Sequence, residues 1–281
     1  MFNYWILDQK WTSTSTQPSS RTGAVAGQDK SLFLRTVYYE RKGGDSVSTT
    51  SWKLDQVTEH YLKQVRGGIP YGADQTKMML QVISHFQSKP FQVLDLGCGN
   101  GFLAKLLLKT FPETRAVLVD HSKPMLHNAA QYMAELQERC TFVEADLEDD
   151  ISNFAEPESM DCIVSGYAIH HLSHDRKKKL YAEIFNTLKP GGVFVNVEHT
   201  ASATAELEQL HDALFVDHLA AYNNRPRADV EEEYENRPDK ADNILENVYT
   251  QVQWLRQIGF DHADCYFKWM ELAVFGGVKP W

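Results

Sequence analysis

The chain lacks the features that mark secreted and membrane proteins. Among its 281 residues, no apolar run approaches the roughly 20 residues that a membrane-spanning helix needs. The N-terminal segment lacks the charged, apolar and small-residue order of a secretory signal. The four cysteines stand far apart with no C-x-x-C pair, so their spacing indicates neither a disulfide framework nor a zinc site. These absences predict a soluble, cytoplasmic protein with no membrane partner.

Positive charge is also scarce. Lys and Arg number 28 against 38 Asp and Glu, which gives a formal net charge of −10. An acidic chain has no long-range attraction to phosphate backbones, although a local basic patch could still hold RNA. The sequence therefore disfavours nucleic acid as a partner and favours a small-molecule substrate. It leaves a homodimer open.

Large apolar side chains are few near the start of the chain, where residues 12–30 are rich in Ser, Thr, Gly and Gln. Such a composition cannot offset the entropy that ordering costs, so we expect residues 1–50 to form a mobile N-terminal leader. Because residues 12–30 contain few acids, an organelle transit peptide is a second interpretation.

The middle of the chain alternates between predicted helices and strands. The apolar spacing from Leu54 predicts a helix, GGIPYG at 67–72 interrupts it, and a second helix is predicted over 73–86. Ser122 and Ser173 are predicted to cap later helices at their N-termini. Five apolar runs predict strands, separated by helical segments such as 122–138 and 173–188: FQVLDL, RAVLVD, TFVEAD, MDCIVS and GVFVNVE. Such alternation implies an α/β fold with a parallel sheet covered on both faces.

The last third of the chain predicts two helices and a closing pair of strands. The helices, at 203–222 and 239–258, flank the polar stretch NNRPRADVEEEYENRPDK, and the strands are ADCYFKW and ELAVFGGVK. We expect a single domain over residues 51–281. Within it we expect N-terminal helices at 51–88 and an insert at 203–250 that forms a lid over the substrate.

The segment VLDLGCGNG, residues 93–101, is an apolar strand that ends in a glycine-rich turn. Asp120 ends the next strand 21 residues after Gly99, where an acid can bind the hydroxyls of a ribose. A nicotinamide cofactor is disfavoured because Phe102 stands where the dinucleotide fingerprint has its third glycine. Asp95, two residues before Gly97, disfavours a pyrophosphate and suits a ligand with positive charge. S-adenosylmethionine carries an ammonium and a sulfonium but no phosphate.

Several motifs in order resemble the class I S-adenosylmethionine-dependent methyltransferases of the bacterial small-molecule type. VLDLGCGNG is similar to the first motif of that family, and the others follow it along the chain: VLVDHS, EADLED, MDCIVSGYAIHHL and LKPGGVFVNVE. The resemblance covers most of residues 60–279. It implies a Rossmann-like, doubly wound sheet of seven strands, the last antiparallel, with helices on both faces. It also implies an enzyme that uses S-adenosyl-L-methionine.

The resemblance implies roles for four residues around the methionine part and the ribose of the cofactor. Positions that match Asp95, Gly97 and Gly99 surround the methionine part in these enzymes. The position that matches Asp120 holds the ribose, in agreement with its predicted place at the end of a strand.

Five more positions have roles implied by the resemblance. His121 neighbours the adenine, and Asp146 with Leu147 meets the adenine edge. Ser165 follows the fourth strand and faces the cofactor near the acceptor pocket. Arg66 precedes IPYG, where similar enzymes use an arginine or tyrosine to bind the carboxylate of the cofactor. A surface ion pair is an equally good interpretation of Arg66.

Three residues, His199, His170 and Tyr167, are our candidates for catalysis on the acceptor side. A hydroxyl or amine acceptor needs a base, whereas a carbanion, a thiolate or a free amine needs no strong one. His199 follows the fifth strand, at the sheet edge where ligands of open α/β folds collect, and Tyr167 could form a pocket wall. His170, His171 and His174 have a spacing that can bind metal, but no carboxylate completes the set. We therefore predict no metal site.

The resulting hypothesis is transfer of a methyl group to an unidentified small molecule. One alternative is a tRNA-modifying enzyme: GFDHADCYFKWMELAVFGGVK is somewhat similar to the end of bacterial enzymes that transfer a carboxymethyl group from a carboxylated cofactor to wobble uridine. Another is a non-catalytic subunit that binds S-adenosylmethionine, since a fold does not determine a function. A nicotinamide dehydrogenase is disfavoured by Asp95 and Phe102.

Overall fold

The computed structural model describes Thr36–Tyr38 and residues 66–281 of the chain. Of the predicted leader, only Thr36–Tyr38 is described, and it forms a short strand that pairs with the sheet. The rest of the leader and the helix predicted from Leu54 lie outside the described residues. Arg66 begins a short 3₁₀ turn, and its side chain also lies outside what the structure describes.

The strands of the described residues form one sheet in the order β1-β4-β3-β2-β5-β6-β8-β7. Strand β8 is antiparallel to both of its neighbours, and the other pairs are parallel. Their bounds are β1 Thr36–Tyr38, β2 Gln92–Leu96, β3 Arg115–Asp120, β4 Cys140–Glu144, β5 Met160–Gly166, β6 Leu188–His199, β7 Asp261–Trp269 and β8 Leu272–Val278. The seven predicted strands, with one antiparallel at the end of the chain, are confirmed. Strand β1 is an eighth, and three residues carry too little periodicity to predict it.

Helices pack on both faces of this sheet. In the described residues the α-helices are α1 Gly72–Phe86, α2 Phe102–Thr110, α3 Lys123–Tyr132, α4 His174–Thr187, α5 Ala205–Asn223, α6 Arg227–Asn236 and α7 Val248–Ile258. Two predicted caps are present, since the Ser122 hydroxyl accepts from Met125 N at 3.3 Å and that of Ser173 from Arg176 N at 3.2 Å. None of the helices within residues 66–281 is long and apolar enough to cross a membrane.

The core lies on both sides of the central strands because successive strand residues face opposite ways. On one face, Leu94 and Ile163 pack with the buried side of α4 and α7. On the other, Val93 and Val164 pack with α1 and α2. All four side chains are fully buried, as the continuous apolar runs of β2 and β5 predict for a parallel sheet.

The helices of the insert differ from those predicted. The helix expected over 239–258 begins only at Val248, and α6 lies in the polar stretch that was expected to separate two helices. Val230 and Tyr234, four residues apart, give α6 a narrow apolar face that packs against Phe215 of α5. Charged residues surround that face, and they hide its periodicity in the sequence.

Candidate functional site

The glycine loop, residues 97–101, follows directly from β2 and leads into α2. Gly97, Gly99 and Gly101 all have positive φ, at 63°, 54° and 78°. At Gly97 the need for glycine is also steric, because an added Cβ would lie 2.2 Å from the Cβ of Ala168. The loop therefore packs directly against the turn that follows β5.

Asp120 fixes the shape of the glycine loop. Its Oδ2 accepts a hydrogen bond from Gly99 N at 2.9 Å, and its Oδ1 accepts one from Ser122 N at 2.8 Å. Burial raises the pKa of the Asp120 carboxyl. Each carboxylate oxygen has a further lone pair, so the side chain can hold the loop and still accept from ribose hydroxyls.

Asp95 lies beneath the same loop and is 1% exposed. Its Oδ2 accepts from Ala104 N at 3.0 Å, so its charge is at the N-terminus of α2, where a helix dipole stabilises an anion. This contact ties β2 to α2. Any attraction between Asp95 and a cationic ligand acts from this buried position.

The loop includes one polar atom that the protein leaves unsatisfied. Among the described residues, Asn100 Oδ1 is buried and has no hydrogen-bond partner. A buried acceptor without a donor is costly, and the ammonium or hydroxyl groups of a nucleoside amino acid can donate to it. The residues of the loop thus fit a cofactor of that kind.

The side chains predicted around the adenine meet at the carboxyl ends of β3 and β4. His121 Nδ1 is 3.8 Å from Asp120 Oδ1, and the charge of Asp146 raises the pKa of Asp120. Leu147 is nearly buried, and its Cδ1 would be 3.6 Å from a Cβ at Gly97. The structure therefore brings His121, Asp146 and Leu147 to the glycine loop from separate segments.

Two other predicted cofactor residues have different placements. Ser165 is fully buried and donates from Oγ to Leu96 O at 2.8 Å, which fixes the end of β2 just before Gly97. This bond therefore links the end of β5 to the residue that precedes the glycine loop. For Arg66 the structure describes only the backbone.

Tyr167 and His170 lie on either side of the residue that packs against the loop. Tyr167 has a φ of 54°, which is uncommon for a residue with a side chain and is often found at functional sites. Its hydroxyl donates to Gln75 Oε1 at 2.6 Å, and its backbone N–H donates to Val197 O at 2.8 Å. Gln75 is fully buried in α1, so this helix is held against the end of β5.

His170 forms a buried pair with Glu198 of β6. Its Nδ1 is 2.6 Å from Glu198 Oε1, and its backbone N–H donates to Oε2 at 3.1 Å. Burial lowers the pKa of His170 well below its usual value and raises the pKa of Glu198. His170 is therefore neutral near pH 7, with its orientation set by the carboxyl group.

His199, His211 and Glu271 lie beside this pair. The rings of His170 and His199 are 5.9 Å apart, and those of His199 and His211 are 5.6 Å apart. Glu271 Oε2 is 2.8 Å from His199 Nε2 and 3.7 Å from His211 Nε2. The five residues His170, Glu198, His199, His211 and Glu271 are named here the histidine cluster.

The other predicted histidines have separate partners. His171 Nδ1 is 3.2 Å from Asp242 O, and burial lowers the pKa of its ring to about 3. His174 is half exposed, with its Nδ1 3.7 Å from Glu246. The rings of His170 and His171 are 4.0 Å apart, but the ring nitrogens of His170, His171 and His174 have different partners, so the structure does not gather the three histidines around one point. Sequence reasoning missed Gln75, Glu198, His211 and Glu271 as site residues, because each is distant in sequence from the side chain it meets.

Comparison with known proteins agrees with this geometry. Residues 93–192 match the family model described as a methyltransferase domain. A carboxy-S-adenosyl-L-methionine synthase from Campylobacter lari is 23% identical over 218 residues, which cover 76% of this chain and 88% of that protein.

Solved structures show the same fold. One is a candidate S-adenosyl-L-methionine-dependent methyltransferase from Methanococcus maripaludis. It superposes with a TM-score of 0.55 at 20% identity, over 84% of this chain and 98% of that one. A phosphoethanolamine N-methyltransferase from Haemonchus contortus, in complex with S-adenosyl-L-methionine, has a TM-score of 0.55 at 17% identity. That match covers 83% of this chain and 61% of the other.

The fold is that of the class I methyltransferases, a Rossmann-like sheet with its glycine loop after the first strong strand. The resemblance seen in the sequence is confirmed: residues 93–192 match a methyltransferase domain, and the sheet as a whole has the fold of S-adenosylmethionine-dependent methyltransferases.

Proposed function

We propose that the chain transfers a methyl group from S-adenosylmethionine to a hydroxyl or amine of a small molecule. The observation that carries this proposal is the close approach of Ala168 to Gly97, at 2.2 Å for an added Cβ. Tyr167 and His170 flank Ala168 at short range in the chain. The approach therefore supports a site in which a methyl donor on the loop meets a proton acceptor.

The cofactor roles follow from the positions around the loop. Asp120 accepts from the ribose hydroxyls, and His121, Asp146 and Leu147 contact the adenine. Gly97, Gly99 and the buried charge of Asp95 support the methionine part, as does Ser165 through Leu96. Arg66 binding to the carboxylate of the cofactor stays a prediction. S-adenosylmethionine supplies an electrophilic methyl group on a sulfonium.

His170 is proposed as the base. With its Nδ1 held by Glu198, its Nε2 is the ring atom left to take a proton from the acceptor. As the bond from the acceptor oxygen or nitrogen to the methyl carbon forms, the carbon–sulfur bond breaks and neutral S-adenosylhomocysteine leaves. Tyr167 forms a wall of the acceptor pocket, and His199 lies on the same side.

The experiment has two stages. Calorimetric titration of the purified protein with S-adenosylmethionine, S-adenosylhomocysteine and NAD tests the cofactor. Incubation with isotope-labelled S-adenosylmethionine and a mixture of hydroxyl and amine metabolites then tests turnover by mass spectrometry of methylated products. Binding of NAD alone, or no labelled product and no S-adenosylhomocysteine release with any acceptor, would contradict the proposal.

A second candidate is chemistry with a carboxylated S-adenosylmethionine. Two features favour it: the similarity to the Campylobacter lari synthase, and the positive charge of Arg237, which adds to the larger effect of burial in lowering the pKa of both His170 and His211. A cation at this position could pair with a carboxylate on the transferred group. Such a cofactor would also suit the wobble-uridine alternative, which the net charge of −10 disfavours.

Mass spectrometry of the nucleoside that copurifies with the protein separates the two candidates. S-adenosylmethionine or S-adenosylhomocysteine alone supports methyl transfer. A carboxylated S-adenosylmethionine supports the second candidate.

Three broader predictions complete the proposal. The insert acts as a lid over the acceptor. In support, Leu219 and Tyr234 of the insert belong to the same apolar cluster as Ile69 and Tyr167. The protein works in the cytoplasm, in keeping with four cysteines that form no disulfide. The chain forms a homodimer, and a measurement of its mass in solution tests this prediction.

A further inference from the structure

Three residues of the histidine cluster come from three different elements and converge on one point. His199 is the last residue of β6, His211 is in the second turn of α5, and Glu271 lies in the turn between β7 and β8. One possible ligand atom from each residue lies within 4.8 Å of the others. No other group of this kind occurs within residues 66–281.

Two of these side chains lack the partners that buried polar groups need. His211 is fully buried, and within the described part of the chain neither of its ring nitrogens has a hydrogen-bond partner. Glu271 is 2% exposed, and its Oε1 is also without a partner. A buried imidazole with two unsatisfied nitrogens is costly. A cation at this point would satisfy both side chains.

We propose that His199, His211 and Glu271 bind a divalent transition-metal ion of the Zn²⁺ type. Two imidazoles and one carboxylate are a donor set that zinc enzymes use, with a fourth position open to water or substrate. Ligand atoms around tetrahedral zinc lie about 3.4 Å apart, given bonds of about 2.0–2.1 Å. In the protein, Glu271 Oε2 is 2.8 Å from His199 Nε2 and 3.7 Å from His211 Nε2, and all three ligand atoms lie within 4.8 Å of one another. Binding an ion would therefore replace the direct His199–Glu271 hydrogen bond and bring the two imidazoles closer together.

Charged groups on neighbouring elements also act on this point. Arg237 opposes a cation here, whereas Asp212 favours one.

The backbone around the site is fixed. Thr200 donates from N to Glu271 O at 2.7 Å and from Oγ1 to the same oxygen at 3.0 Å. The strand end that carries His199 is thus tied to the turn that carries Glu271. An ion bound by His211 as well would join α5 of the insert to the edge of the sheet.

The ion would lie next to the proposed base, because the His199 and His170 rings are 5.9 Å apart. Its open position could bind an acceptor hydroxyl and lower the pKa of that hydroxyl. His199 is then a metal ligand rather than a base. This role of the ion rests on the proposed function, whereas metal binding itself does not.

The test begins with protein stripped of metal by a chelator and titrated with ZnCl₂ by calorimetry. We expect one equivalent of Zn²⁺ to bind and S-adenosylmethionine affinity to stay the same. The His211→Gln and Glu271→Gln variants should each bind Zn²⁺ at least about 100-fold more weakly. His218→Gln, an exposed histidine on the same helix, is the matched control and should bind as the wild type does.

Circular dichroism and S-adenosylmethionine titration of each variant check that it is folded. A second readout is the visible spectrum of the Co²⁺ form, which should show tetrahedral nitrogen and oxygen ligands and be lost in His211→Gln.

Two results would overturn the site. One is no saturable binding of Zn²⁺ or Co²⁺ to the wild type, which would leave only a hydrogen-bonded His199–Glu271 pair. The other is equal Zn²⁺ affinity in the wild type and in a folded His211→Gln variant. Because neither readout uses activity, failure of the proposed methyl transfer would leave the zinc result standing, and the reverse also holds.

Discussion

The glycine loop and the histidine cluster lie side by side, yet they are built in different ways. The loop is held by backbone groups, with Gly99 N donating to Asp120 and Ala104 N donating to Asp95. The cluster consists of ionisable side chains that are buried and depend on one another. The first arrangement leaves backbone groups of the loop to form a surface. The second brings together buried groups such as His170, Glu198 and His211, whose pKa values burial displaces, a pattern that is common at functional sites.

The largest effect is expected from Gly97→Ala, which attacks the backbone of the loop. The new Cβ would meet Ala168, and a φ of 63° is itself strained for alanine by about 1–3 kcal/mol. The short Cβ side chain of Ala168 cannot rotate away from the new methyl group, so the backbone of the loop must shift. We therefore expect calorimetry to show S-adenosylmethionine binding about 1000-fold more weakly.

The control is Gly72→Ala at the start of α1, where the nearest atom to a Cβ is 3.9 Å away. It should bind the cofactor as the wild type does. Unchanged affinity in Gly97→Ala would mean that the loop is not the cofactor surface.

Glu198→Gln changes the cluster without touching the loop. An amide can donate to His170 Nδ1 and so leave the proton on Nε2, where it blocks base catalysis. We expect kcat to fall about 100-fold, the usual contribution of a general base, with the S-adenosylmethionine Kd unchanged. Glu208→Gln on the exposed side of α5 serves as the control. A variant that loses cofactor affinity and kcat together would show that the two regions are not separable.

Asp120→Asn tests the charged side chain that holds the glycine loop and that we propose as the ribose ligand. The amide keeps an oxygen for one of the two backbone bonds but loses the charge. We expect cofactor affinity to fall about tenfold, since a hydrogen bond to a charged group contributes about 1.5–3 kcal/mol. Asp150→Asn, at the start of a 3₁₀ turn, is the control. Equal affinity in both variants would place the ribose elsewhere.

The last prediction concerns stability against acid, which is the property least directly tied to binding or turnover. The pKa of His171 is about 3 in the folded protein against an ordinary value of 6.5, so the unfolded chain binds the proton more readily. The stability that neutral His171 contributes is complete above pH 6.5 and is lost as the pH falls towards 3. Over that range the loss is at most about 1.4 kcal/mol per pH unit.

Urea unfolding between pH 4 and pH 7 measures this slope. His171→Asn should reduce it, and His218→Asn, an exposed control, should not. An unchanged slope in His171→Asn would assign the acid sensitivity to other buried groups.

The difference between the two regions also explains which parts of the candidate site could be predicted from the sequence. The glycine loop and Asp120 were predictable because the groups that form the loop are close in the chain or end adjacent parallel strands. His170 and Glu198 are 28 residues apart, His199 and Glu271 are 72 apart, and no periodicity relates them. The first contact depends on the pairing of β5 with β6, where Gly166 is opposite Val197. The second depends on the register of β6 against β8, where His199 pairs with Leu272.

The insert shows a second reason why prediction failed. Helix α6 was missed because charged pairs such as Arg227 with Glu231, and Arg225 with Glu233, fill its surface and mask its two buried residues. The predicted role of His199 is the instructive case. Its position at the sheet edge was correctly recognised, whereas its closest partner, Glu271, could be found only from the folded chain.

The buried ammonium of Lys177 joins segments that are distant in sequence. Its Nζ donates to the carbonyls of His170, Leu172 and Ile244, and Ile244 N donates to His170 O in return. Burial lowers its pKa to about 8. Exchange of the Ile244 amide with deuterium therefore requires this contact to open, so we expect the turn that carries His170 and the segment that precedes α7 to open together. A ligand that reorders the turn at His170 should therefore also alter the segment at Ile244, 74 residues further along the chain.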